Sequence, residues 1–527
     1  MKKLIIAMLA FVMALASCSK GPKTAAYISD NAIMVVNVNV KQLLDKADAK
    51  NLDNISFVKL ARQELRNENA QLSAFVDGII ADPLSTGLDL RDDIVLQISE
   101  DGNPVMIVPM HKEAKFEKFL QELASKNGLQ CNISKGDNYK MANMELITIN
   151  YNGDVAIIPI DGKTDAIAKE LFNLEKDKSL AKNKNFNAFW KERSEIGAWM
   201  NLNKLFTLAE KFGGSDIWAS SGLTQEMIDD MRKGSYACNL VFDKGAIRFV
   251  CKTQGLKLDQ YIQDFNGKLI NYMPEKCLAA IAYSAKIEWI SKMLQNSGEI
   301  DLEQKVTLNS DKTIKDMVNA FGGSILFSLF DITSNENGIM PMMALTADIK
   351  DANTMREIIE GLAKEIGIEK EGDMFIIPDF GIGKIMMCMN EKAMYVTNST
   401  EAANQFGKGG YKDGMKGIAS KVKKGNYFYA DLNLSHYPTS VTSLIPENIA
   451  QLLSQYLDHT EALMLNKNEG EWAIYLNEKK ENSLLATLHF VDNNLMTFSN
   501  LAESFGGSSY DDEELYVEDV TEEEIDE

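Results

Sequence analysis

Only four histidines, His111, His436, His459 and His489, occur in 527 residues, and none stands at a zinc-ligand spacing from another histidine or a cysteine. That pattern offers no metal centre, and no cofactor is expected. A Gly-x-Ser-x-Gly elbow is absent, so the exposed nucleophile of the common serine hydrolases is missing. Gly381-Ile382-Gly383-Lys384 lacks the spacing and hydroxyl residue of a phosphate loop and predicts a hairpin turn between two apolar strands. Positive charge is in deficit: 55 Lys and Arg face 76 Asp and Glu, for a formal charge of -21. Such a molecule is repelled by a polyanion, which excludes nucleic acid as a partner. Nor does any apolar run reach the roughly 20 residues that cross a bilayer.

The amino terminus is the most informative stretch. Met1-Lys2-Lys3 precedes an apolar run from Leu4 to Leu15, and Ala16-Ser17-Cys18 follows it. A basic start, a short apolar segment and small residues before a cysteine make a secretory signal of the lipoprotein type, 1–17, with Cys18 as the lipid-attachment residue. Two or more acyl chains, at about 0.8 kcal/mol per buried methylene, make such an anchor effectively permanent. The expected location is the outer membrane, lipid-anchored, with the periplasmic face favoured because Ser19-Lys20-Gly21-Pro22-Lys23 carries no acidic cluster.

With 45% hydrophobic and 25% charged residues, the rest of the chain is long enough for two or more cores. Its strongest internal signal is a duplication. Phe116, Phe119, Leu120, Leu123, Ala124, Gly128 and Leu129 match Met355, Ile358, Ile359, Leu362, Ala363, Gly367 and Ile368 at an offset of 239. Both sets space an apolar helical stripe that ends on a glycine suited to the left-handed cap. Flanking strands align near the same offset, Val105 to Val108 with Met343 to Thr346 and Leu146 to Ile149 with Ile385 to Cys388. The predicted fold is α+β: two homologous halves, each a mainly antiparallel sheet with helices packed on it. An anchor linker would span 18–30, the repeats 31–272 and 273–500. The tail, 501–527, has eleven carboxylates and no base from Asp511 onward, the composition of a solvated disordered segment.

Each half is expected to finish on a pair of strands, Tyr236 to Thr253 and Trp472 to Phe490. In the first, a turn at Lys244-Gly245 sets Phe242 opposite Ile247, Leu240 opposite Phe249 and Cys238 opposite Cys251, because a slip of one residue would mix apolar and polar faces. Cys238 and Cys251 then share a non-hydrogen-bonded site, close enough for a disulfide. Two readings follow, a bridge or two small core side chains; Cys131, Cys277 and Cys388 have no evident partners. Three strands end on asparagine before a helix or turn, at Asn39, Asn203 and Asn433. Helix capping is the expected role at Asn39 and Asn203, and convergence of these polar ends beside a ligand is the alternative.

Phe-Gly-Gly-Ser occurs at Phe212, Phe321 and Phe505, each time after a predicted helix, and is read as helix termination. His111 lies at a strand-to-helix junction, where its counterpart is Lys350, and is expected to face solvent. One stretch opposes the acidic background: from Phe406 to Lys424 there are six lysines and one aspartate. Lys408, Tyr411, Lys412 and Lys416 are the candidate contact for an anionic ligand or lipid headgroup, against a plain solvated loop.

The lipoprotein signal, the strand Met34 to Asn39 followed by Lys41-Gln42-Leu43-Leu44, and the duplicated layout together resemble an uncharacterised family of Bacteroidetes lipoproteins classed as a domain of unknown function. The resemblance covers nearly the whole chain after Cys18 and implies an exported location without supplying catalytic residues. The expected function is a membrane-anchored, non-enzymatic binding or scaffold protein of the cell envelope. Its partners would be the membrane, through the anchor, and an envelope protein, glycan or lipid. The alternative is a glycosidase-like envelope hydrolase using paired carboxylates.

Overall fold

Among the described residues, twenty strands of alternating side-chain direction form the frame of this protein, and every pairing between them is antiparallel. The computed structural model describes residues 24–494 except 49–50, 52–53, 69, 71–72, 75–76, 78–81, 145–146, 161–164, 212–224, 256–260, 299, 336–337, 378–382, 413, 417–418, 425, 444–459 and 467–469. Cys18, the acidic tail 501–527, and the Phe-Gly-Gly-Ser stretches at Phe212 and Phe505 lie outside the described residues.

The first half contributes β1 (Ala32–Val38), β2 (Ile94–Ser99), β3 (Pro104–Pro109), β4 (Asn132–Lys135) and β5 (Lys140–Met144). It continues with β6 (Ile147–Tyr151), β7 (Val155–Pro159), β8 (Ile196–Asn201), β9 (Ser235–Asp243) and β10 (Ala246–Gln254). The second half contributes β11 (Ala279–Ser284), β12 (Phe321–Asn335), β13 (Gly338–Ile349), β14 (Glu369–Glu371) and β15 (Met374–Ile377). It ends with β16 (Ile385–Met389), β17 (Ala393–Thr397), β18 (Asn426–Asp431), β19 (Thr460–Asn466) and β20 (Glu471–Leu476).

All belong to one 20-stranded sheet. Outward from its middle, the first half runs β10, β9, β8, β1, β2, β3, β7, β6, β5, β4. The second runs β20, β19, β18, β11, β12, β13, β17, β16, β15, β14. The two orders are the same, and β10 pairs with β20 to close the middle. The duplication read from the helices is thus a duplication of topology.

The helices Glu113–Lys126 and Ala352–Ile366 stand at equivalent places, each between the third and fourth strand of its half. Phe116, Phe119, Leu120 and Ala124 are buried in one, Met355, Ile358, Ile359 and Ala363 in the other. Gly128 and Gly367 both take positive φ, 68° and 71°. The same closing hydrogen bond follows each, from the Leu129 amide to the Ala124 carbonyl and from Ile368 to Ala363. Left-handed backbone at that point carries the chain off the helix at little cost only for glycine.

Each half has a core on both sides of its outer strands. In the first, Glu113–Lys126 covers Met144, Ile149, Ala156 and Ile158. The helices Asp165–Phe172 and Lys184–Glu192 cover Val95, Val105, Ile107 and Ile157 on the opposite face. In the second, Ala352–Ile366 packs on Phe375, Met387 and Met394, and Thr400–Gly407 on Met386, Cys388 and Tyr395.

Two expectations of local structure need correction. Trp472 to Phe490 is not a strand pair: β20 is followed by the helix Ser483–Asn493, and β20 pairs instead with β19, before it, and with β10. Asn482 accepts from the Leu484 amide and starts that helix, and a short, largely apolar stretch carries no clear period that separates strand from helix. At the second strand-to-helix junction the oxygen accepting a helix amide belongs to Asn201, which takes the Lys204 N–H at 3.3 Å. Asn203 instead lies inside the helix Leu202–Lys211. Asn39 does cap its helix, accepting from the Gln42 amide at 3.0 Å. Phe321 follows a helix ending at Ala320, and the glycines after it form an irregularity at the start of β12.

Candidate binding face at the seam between the halves

The seam is formed by β10 and β20, whose register sets Phe249 opposite Trp472, Arg248 opposite Ala473 and Val250 opposite Glu471. Its ends are marked by the Cys251 amide donating to the Gly470 carbonyl at 2.8 Å and the Leu476 amide to the Gly245 carbonyl at 2.9 Å. On one face the Arg248 guanidinium bridges the Asp243 and Glu471 carboxylates. Glu471 is buried and Arg248 half-buried, so this charge-assisted pair ties the halves together through a partly desolvated contact.

The other face is apolar. Strand pairings place Leu240, Phe249 and Trp472 in one transverse row across the seam, and beyond β19 the row continues with Phe428, Ile281, Phe327 and Leu345 to β13. Tyr283 and Ile325, paired with each other, stand two residues further along the same face. The rings of Phe428 and Trp472 are 6.2 Å apart, with β19 between their strands. Phe249, Trp472, Ile281, Tyr283 and Ile325 are each 41–49% exposed. Beneath them, on the reverse side, Ala280, Ala282, Leu326 and Ala344 are buried in the second-half core. β11 buries its small residues, Ala280 and Ala282, and exposes its large ones, Ile281 and Tyr283, the reverse of what hydrophobicity alone selects. Covering the remaining surface of one such side chain is worth about 1 kcal/mol, half of what full burial gives. Among the described residues this is the surface best suited to an apolar partner.

A buried ionic cluster lies elsewhere, where β1, β2 and β8 meet. Asp93, fully buried, pairs with Arg193 and accepts from the Asn39 side chain at 2.9 Å. Arg193 also donates to the Trp190 carbonyl and lies 4.8 Å from the centre of the Trp190 ring. Glu195, likewise buried, pairs with Lys46. Burial raises the pKa of neighbouring Asp92 above the ordinary value of 3.8, and the Asp93 amide bonded to it opposes that shift. A raised carboxyl penalises the fold when ionised, so its cost is present at neutral pH and fades as pH falls through the raised value. Of the buried acids here, Asp93 and Glu195 each hold their own cation, and the Asn37 amide oxygen, also buried, leaves no space at Gly197: a methyl there would approach it to 2.3 Å. This is the arrangement of a structural ion-pair network.

The basic stretch is only partly gathered. Lys408 and Lys412 are exposed, but Lys416 pairs with Glu275 at 2.7 Å. Tyr411 is half-buried; burial and then the Glu401 charge push its hydroxyl upward. Its amide donates to the Asn271 carbonyl, fixing the loop against the 3₁₀ turn Gly267–Tyr272. The side chains of Lys421, Lys423 and Lys424 lie outside the described residues. His111 is exposed, as a residue facing solvent should be. Asn433 accepts from the Ser435 amide and hydroxyl, so it opens a turn and stands apart from the Asn39 cluster.

The apolar face was not anticipated from sequence. Its signal is present in β11, where Ala280 and Ala282 alternate with Ile281 and Tyr283, both faces being apolar. Such a strand reads as buried on both sides.

Among the described residues no helix is long and apolar enough to cross a membrane. No curated protein matches the chain. One solved structure, titled "Structure of crystal form I of TP0453", is 8% identical over 75% of this chain and 100% of that one, with a TM-score of 0.20, a likeness too slight to bear on fold or function. The family model described as "Domain of unknown function (DUF4836)" matches residues 26–484. The chain belongs to that family.

Proposed function

We propose that this is a Bacteroidetes-type lipoprotein of the cell envelope, anchored through acylated Cys18, which acts without catalysis by binding an amphipathic lipid or similarly apolar partner. The observation that carries the binding role is the large, uncharged, aromatic-rich face centred on Phe249 and Trp472. Trp and Tyr at its exposed positions suit a ligand with one apolar and one wet end. An anchor that holds the body beside a bilayer keeps such ligands at high local concentration. The hydrolase alternative is weakened by the cluster of Asp93 and Glu195, whose charges are each taken up by a cation. Lys408 and Lys412 remain a proposed secondary contact for a headgroup phosphate.

The test uses the soluble chain beginning after Cys18, titrated with short-chain phosphatidylcholine while tryptophan emission is followed. Binding shifts the emission to the blue, Trp472→Phe removes most of that shift, and Phe249→Asp with Ile281→Asp weakens affinity by a factor of ten or more. Unchanged emission at saturating lipid would overturn the binding role. Metabolic labelling with radioactive palmitate and recovery in the membrane fraction test the anchor; an unlabelled protein in the cytosol would refute it.

A further inference from the structure

We infer that Cys238 and Cys251 are joined by a disulfide in the exported protein, a covalent staple across β9 and β10 beside the seam. Their register is direct, Cys251 opposite Cys238. The Cys251 amide donates across the seam to Gly470 and therefore points away from β9. That makes Cys238 and Cys251 a non-hydrogen-bonded pair, where Cα atoms lie about 4.5 Å apart and within the span a disulfide bridges. Both side chains emerge on one face, and the two sulfur atoms are 2.6 Å apart. Both are buried. The hydrogen bond from Cys238 holds the Cys251 thiol below its ordinary range, so Cys251 is the first to ionise.

Oxidation proceeds by exchange with a dithiol oxidant in its disulfide form, as found outside the cytoplasm. The Cys251 thiolate attacks one oxidant sulfur, forming a mixed disulfide and expelling the other sulfur as a thiolate. Cys238, giving its proton to that thiolate, then attacks the Cys251 sulfur and releases the second oxidant sulfur, which takes up the proton Cys251 lost. Two thiols are oxidised and one disulfide is reduced to two thiols. Burial requires that this precede closure of the hairpin into the core. Cys277 is placed differently: it lies between the Ser328 hydroxyl and the Ala279 carbonyl, and burial pushes its thiol up to about 12. Burial likewise pushes Cys388 up to about 11.

The staple sits two residues from Phe249 and Leu240 on the same face, so it fixes the strand that carries the centre of the apolar row. The oxidant is supplied by the proposed export, whereas the pairing geometry stands by itself, and the experiment separates the two. Protein purified from the envelope is denatured without reductant, alkylated, digested and mapped by mass. A linked peptide containing both residues, two hydrogens lighter than the reduced pair, is expected, and reductant should lower the thermal midpoint of the native chain but not of Cys238→Ser/Cys251→Ser. The same chain refolded from the reduced state with glutathione disulfide should give the same link. Formation on refolding with free thiols in envelope material would sink the exported bridge while leaving the geometry intact. Free thiols in both, or links to Cys131, Cys277 or Cys388, would overturn the pairing itself.

Discussion

Replacing Asp93 by alanine should cost about 3–5 kcal/mol of stability, the loss expected when one member of a buried ion pair is removed and the other remains. The carboxylate is fully buried and serves both Arg193 and the Asn39 side chain, which also caps the helix after β1. Without it the half-buried guanidinium keeps the Trp190 carbonyl and ring but loses its paired carboxylate, and the Asn39 amide loses its acceptor. Asp93→Asn keeps an acceptor for Asn39 and should lose less. Denaturant unfolding checks both: the midpoint falls furthest for alanine, and equal midpoints for alanine and wild type would mean the pair is not desolvated.

Trp199→Ala should be comparably severe, about 3–5 kcal/mol, because it empties the largest fully buried side chain among the described residues. Its ring meets Phe186 edge-on at 5.3 Å, and Val35 and Ala237 flank it on neighbouring strands. The indole N–H has no hydrogen-bond partner among the described residues. Trp199→Phe removes that unsatisfied donor together with part of the ring, and should therefore cost much less than alanine. Thermal unfolding of the two variants makes the comparison. A phenylalanine variant as unstable as the alanine one would show that the indole nitrogen is paired.

The sequence carried the repeat because local chemistry was repeated: the same stripe, the same left-handed glycine, and the same closing bond at Leu129 and Ile368. The β9–β10 register was legible for a related reason, since its alternation and its turn at Lys244-Gly245 agree. The joining of β10 to β20 left no such mark. Edge pairing depends on backbone groups that every strand possesses, and the two strands are separated by more than 200 residues. The binding face was hidden in another way. Where both faces of a strand are apolar, pattern cannot say which is covered; here Ala280 and Ala282 are, because the small residues admit the core packed on them, and Ile281 and Tyr283 are left outside. The helix Ser483–Asn493 was misread because its apolar residues surround it and give no clear stripe.

One continuous sheet, made by two copies of the same topology joined at β10 and β20, is the claim on which the apolar face depends. Ala246 and Tyr475 stand opposite each other across that seam, at a site between the hydrogen-bonded pairs Gly245 with Leu476 and Ile247 with Ile474. With Ala246→Cys and Tyr475→Cys introduced together and Cys238 and Cys251 changed to serine, mild oxidation should link the new cysteines within one molecule almost completely. Two freely alkylated thiols, or links formed only between molecules, would contradict the joined sheet.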